Sequence, residues 1–145
     1  MKKAVLILPI LVLAILTLSG CNNTETKLID TFTWQMTTIQ NGKDGSAVAC
    51  APELAEIHEG AKPLRLTCKA KNGNLTITDS TQTISYTGEY SLKQVESGET
   101  IYNISIEGNE GYGVTSMTTY HDGGQNPTFI ICIEPYTINF ESGDK

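Results

Sequence analysis

The residues in this chain best equipped for covalent or proton-transfer chemistry are its four cysteines and two histidines. A thiol becomes a nucleophile only when a neighbouring base draws off its proton. The two available bases, His58 and His121, stand in no local pattern with Cys21, Cys50, Cys68 or Cys132. Structural or catalytic zinc calls for closely paired ligands, and the chain contains neither CxxC nor HxxxH. His121-Asp122-Gly123-Gly124-Gln125-Asn126-Pro127 assembles an imidazole, a carboxylate and an amide around two glycines. Those are also ordinary turn residues, and the segment lacks the alternating oxygen ligands of a calcium loop, so it reads as a long hairpin connection. Glu107, Glu110 and Glu134 are dispersed and form no paired-carboxylate motif. The expectation is a non-enzymatic protein with no metal and no cofactor.

Cys21 is different from the other three cysteines because of what precedes it. Lys2 and Lys3 open the chain with positive charge, Ala4 to Leu16 is aliphatic apart from Pro9, and Leu18-Ser19-Gly20 leads into Cys21. A charged start, a short apolar run and small residues before a cut site are the parts of a secretory signal. The run is shorter than the ~20 residues a membrane-spanning helix requires. "LSGC" resembles the lipobox of bacterial lipoproteins, in which the cysteine thiol takes a diacylglycerol. The resemblance implies cleavage between Gly20 and Cys21, lipid on Cys21, and a protein held at the outer face of the cell membrane. Two or three acyl chains anchor stably, since each buried methylene contributes about 0.8 kcal/mol and one chain alone is marginal.

Loss of residues 1–20 would leave 125 residues. Lys2 and Lys3 leave with them, so eight of the ten basic residues remain against 16 acidic ones, a formal charge of −8. That length suits one domain with a real core. The acidic balance argues against nucleic acid, whose phosphates demand neutralising cations, and against docking on anionic headgroups. Residues 21–30 are largely polar and read as a tether, so the domain is expected over residues 31–145.

From Thr31 onward, Thr, Ile, Val, Tyr and Phe alternate with polar residues, the pattern of half-buried strands. Phe32, Trp34 and Met36 share one face of a first strand, and Leu64, Leu66, Cys68 and Ala70 share one face of another. Asn72-Gly73 is a hairpin signal, because both positions tolerate positive φ. Further strands are expected at 75–78, 83–86, 89–95, 101–107, 111–120, 128–133 and 136–140. Pro52 to Glu59 has Pro near a helix start, with Leu54 and Ile57 at helical spacing, and reads as one short helix capping a barrel end. The fold class is all-β: a single antiparallel up-and-down barrel of about eight to ten strands, preceded by the signal helix.

Phe32-Thr33-Trp34 at the start of a meander of short strands resembles the lipocalin-like barrels of small bacterial lipoproteins. "YTGEYSL", "IYNISIEGNEGYGV", "MTTYHDG" and "YTINF" are similar to uncharacterised lipoproteins of Gram-positive anaerobes. Lipocalins carry Gly two positions before the Trp, where this chain has Phe32, and an Arg near the last strand, where it has none; Arg65 is its only arginine. The resemblance therefore implies a barrel more than a particular ligand.

On that reading Trp34, Tyr86, Tyr102, Tyr112, Tyr120 and His121 are the candidate lining of an apolar ligand pocket. Taken singly, each aromatic is expected to fill core. Export also makes a Cys50–Cys68 disulfide admissible, worth roughly 3 kcal/mol on chain-entropy grounds. Cys132 then remains as a small buried hydrophobe. The expected function is a lipid-anchored binding module for a small amphipathic molecule or an envelope component. The alternative is a structural or protein-interaction lipoprotein, inhibitor-like or engaged in envelope stress, with a filled core.

Overall fold

The alternating segments form ten strands: β1 (Thr33–Asn41), β2 (Ala47–Cys50), β3 (Lys62–Pro63), β4 (Leu66–Lys71), β5 (Asn74–Asp79), β6 (Ser85–Glu96), β7 (Glu99–Ile106), β8 (Asn109–Thr119), β9 (Gln125–Ile133) and β10 (Tyr136–Ser142). A five-residue helix, α1 (Lys27–Thr31), precedes them. These elements come from a computed structural model that describes residues 27–143. The signal segment, Gly20, Cys21 and most of the expected tether lie outside the described residues.

Strands β4 to β10 run as an antiparallel meander, and β10 pairs back onto β1, which pairs with β4. The result is a closed eight-stranded barrel, in which every barrel strand has a neighbour on each side. β2 and β3 are additions at the seam. The first half of β1 bonds to β4 through Thr33–Gln35, and its second half bonds to β2 through Thr38–Gln40. Tight turns join the meander. Asn72-Gly73, Ser97-Gly98 and Glu107-Gly108 each place two consecutive residues at positive φ, the geometry that matches the twist of two-residue hairpins.

The barrel has two unlike ends. One is closed by α1: Ile29 is fully buried, and its carbonyl accepts a 2.9 Å hydrogen bond from the Trp34 indole N–H. Tyr90 adds a second tie by donating its hydroxyl to the Asp30 carboxylate. Above α1 the interior is solid aromatic packing. Trp34 meets Phe129 at 5.4 Å between ring centroids, and Phe129 stacks on Phe140 at 5.8 Å. Gly113 faces this layer, and a methyl group there would lie 2.4 Å from Ile104 Cδ1 and 2.9 Å from Phe129 Cε2, so only glycine fits.

Several sequence expectations are corrected. The segment 52–59 is not a helix. Only Pro52–Leu54 forms a single 3-10 turn, and Ile57 is 74% exposed. A lone turn with no buried apolar stripe has nothing to hold it helical. The helix that does cap the barrel is α1, in a stretch assigned to the tether. Thr87-Gly88 is not a turn between two strands but the middle of β6, opposite Thr76 and Leu75. Glycine is needed there for close approach, since a Cβ on Gly88 would lie 2.3 Å from the Ser105 carbonyl oxygen.

Cys50 and Cys68 are not bonded; both are buried free thiols. Cys68 faces Trp34 across β1–β4, and Cys50 faces Thr38 across β1–β2. Those points are four residues apart along one edge of β1. At ~3.3 Å per residue the separation is roughly 13 Å, well beyond the ~7 Å between Cα atoms that a disulfide can span. Among the described residues, no helix is long and apolar enough to cross a membrane.

Candidate functional site

Opposite α1 the barrel opens. Strand alternation carries apolar side chains past the aromatic layer to the last inward-facing position of several strands. Ile39 and Ile138 face each other across β1–β10, Ile77 pairs with Tyr86 across β5–β6, and Ile133 pairs with Tyr136 across β9–β10. Leu66 from β4 and Ile106 from β7 complete the floor. No large aromatic fills the centre at this level, and a cavity of about 340 Å³ remains, within the ordinary range for a small-molecule site. A larger depression of about 530 Å³ lies alongside, around Tyr112, Cys132 and Lys43, and shares Ile133, Glu134, Pro135 and Tyr136 with the mouth. Tyr112 and Cys132 are opposed residues on the barrel's outer wall, and they form the side of that depression away from the mouth.

The rim is polar and carries negative charge. Glu107, Asn109 and Glu134 line it beside the half-exposed Tyr86 and Tyr136. Glu107 is held in place, because one carboxylate oxygen accepts hydrogen bonds from the Thr87 backbone N–H at 2.8 Å and its hydroxyl at 3.2 Å. Among the described residues, no lysine or arginine lines the mouth. Arg65 is engaged elsewhere, in a 2.7 Å ion pair with Glu53. Lys43 lines the neighbouring depression.

Of the six residues expected to line a pocket, Tyr86 lines the mouth and Tyr112 lines the neighbouring depression. Trp34 lies in the closed-end core, and Tyr102 is buried within the barrel. The Tyr102 hydroxyl lies beside Thr115 and Thr100, and burial pushes its pKa up. Among the described residues, neither Tyr102 Oη nor Thr115 Oγ1 has a hydrogen-bond partner within bonding geometry. Tyr112 is on the outer wall, where hydrogen bonding to Cys132 raises its pKa. Tyr120 and His121 sit at the tip of the β8–β9 hairpin, at the other end from the mouth. That tip is an ordinary turn, closed by Tyr120 N–H to the Gly124 carbonyl and by Gly124 N–H to Asp122. Cys132 is not the buried hydrophobe expected; it faces outward, half-buried between Tyr112 and Thr137.

No protein-family model, curated protein or solved structure matches this chain. The reading of the site therefore stands on geometry alone. The residues that sequence reasoning missed are the mouth isoleucines, Tyr136, Glu107 and Glu134. Ile77, Ile106, Ile133 and Ile138 sit in phase with the buried residues of their strands, whereas Ile39 is turned inward by a bulge between Met36 and Thr38 that breaks the alternation; phase in any case does not reveal which end of a strand is open. Among the described residues no group of three His, Cys, Asp or Glu side chains is placed to hold a metal ion.

Proposed function

We propose that this protein is an extracytoplasmic, lipid-anchored binding module that takes a small amphipathic molecule in the mouth of its barrel. The supporting observation is the apolar cavity itself. Six strands deliver aliphatic side chains to one open level; Leu66 and Ile77 are buried there and Ile39, Ile106, Ile133 and Ile138 only partly so, which leaves apolar surface for a ligand to cover. The solid aromatic core beneath limits the ligand to a shallow seat, with its polar end at the rim. The β-barrel is compatible with a binding module.

The anchor belongs to the same reading. Lipid on Cys21 would be separated from α1 by residues 22–26. The span from Cys21 to residue 27 reaches at most about 21 Å when fully extended. Since α1 closes the end opposite the mouth, an anchor there turns the closed end toward the bilayer and the mouth outward, available to molecules arriving from outside.

The test is native mass spectrometry on the chain from Asn22 to Lys145, exported to a bacterial periplasm and also incubated with envelope lipid extract. A reproducible added mass of a few hundred daltons (an order-of-magnitude expectation for a drug-sized ligand), lost on denaturation and absent when the mouth is blocked by Ile77→Trp, supports the proposal. A bare protein mass under both conditions overturns it.

A further inference from the structure

The mouth combines two features that point to different parts of one ligand. Its floor is aliphatic, contributed by Ile39, Leu66, Ile77, Ile106, Ile133 and Ile138. Its rim presents two carboxylates, Glu107 and Glu134, and two tyrosine rings, Tyr86 and Tyr136, with no cationic side chain from the described residues in the lining. We infer that the ligand is an amphiphile whose polar head is a positively charged ammonium group, with its hydrocarbon part on the isoleucine floor. This inference rests on the mouth being the binding site.

The physical case is one of complementarity. A cation at the rim gains Coulomb attraction from both carboxylates, and tyrosine faces attract ammonium groups through the ring quadrupole. Glu107 is held by Thr87, so its negative charge is fixed beside the mouth before any ligand arrives. An anionic head in the same place would shed water next to two like charges, with no lysine or arginine of the described residues in the mouth's lining to receive it. The mouth's lining thus selects against anions as well as for cations. At ~30 Å³ per water-sized group, a cavity of about 340 Å³ holds on the order of eleven such groups, the scale of a short alkyl chain with a compact head.

Three probes sharing one tail separate head selectivity from apolar binding: octyltrimethylammonium, octyl glucoside and octyl sulfate. They are titrated into the chain from Asn22 to Lys145, which contains the whole closed barrel, with displacement of a neutral apolar fluorophore as the readout. The ammonium probe should bind about tenfold or more tighter than the sulfate, with the glucoside between them. Glu107→Gln with Glu134→Gln should bring the ammonium probe close to the glucoside and leave the glucoside unchanged. Glu96→Gln with Glu99→Gln makes the same change in net charge at the closed end and should preserve the selectivity. Equal binding of all three probes, or loss of selectivity in the closed-end variant, overturns the ammonium assignment while the mouth remains a binding site. Failure of all three to displace the fluorophore overturns the binding site too.

Discussion

Tyr86 and Tyr112 make a matched pair with which to test where ligand binds. They are 46% and 48% exposed, but Tyr86 faces the mouth from β6 and Tyr112 faces solvent from the outer wall of β8. An aromatic side chain offers ~200 Å² of surface, so the exposed 46% of Tyr86 is about 90 Å² available to a ligand. At ~25 cal/mol per Å², covering half to most of it contributes about 1–2 kcal/mol. Tyr86→Ala should therefore weaken binding of a neutral apolar fluorophore by about 5- to 30-fold. Tyr112→Ala, with the same loss of ring and hydroxyl, should leave Kd within about twofold. Fluorescence titration measures both, and circular dichroism verifies that both variants keep the barrel. Equal effects from the two substitutions, or none from Tyr86→Ala, would refute the reasoning that the mouth is the seat.

Other consequences are equally direct. Cys21→Ser should move the protein from the membrane fraction to the soluble extracytoplasmic fraction; retention in the membrane would remove the anchor from the account. Among the three cysteines of the described residues, Cys132 should react first with a maleimide, because Cys68 is sealed in the interior and burial pushes its pKa up to about 12. Modification of Cys68 as fast as Cys132, followed by peptide mass mapping, would contradict its placement. Phe129→Ala should cost about 3–5 kcal/mol in urea unfolding, since the ring is fully buried between Trp34 and Phe140. Tyr90 gives a pH test: burial first, and the Asp30 carboxylate second, push its pKa from 10.0 to about 12. Its contribution to stability is complete below pH 10 and declines as pH rises toward 12, where only the unfolded chain readily ionises it. Tyr90→Phe should flatten that alkaline decline, and an unchanged slope would detach Tyr90 from α1.

The two ends of the barrel differ for a reason visible in side-chain size. Below the mouth, Trp34, Tyr102, Phe129 and Phe140 consume the interior volume, and Gly113 is needed to admit them. At the mouth the inward positions are isoleucines and a leucine, which line a barrel of this width without filling it. Negative charge at Glu107 and Glu134 stays where water can still reach it, the inexpensive place for carboxylates beside an apolar surface.

Much of this was legible in the chain itself. Period-two alternation assigns most of the strands and their inward faces, because a strand with one buried face must keep its register or turn every side chain over. Asn72-Gly73 marks its hairpin without tertiary help, since both residues accept positive φ at little cost. Other features are silent locally. Leu28 and Ile29 look like part of a polar tether until the open bottom of a barrel gives Ile29 something to plug. Gly88 looks like a turn until β7 comes within reach of its missing side chain. Two cysteines that look pairable are held apart by pairing at different heights on β1. The mouth is the clearest case: alternation says that Ile106 and Ile104 face the same way, but only closure decides that one is core and the other lines a cavity. Sequence by itself determined the faces of the strands, which depend on neighbours one and two residues away. Tertiary structure decided the ends of the barrel, which depend on where eight strands stop relative to one another.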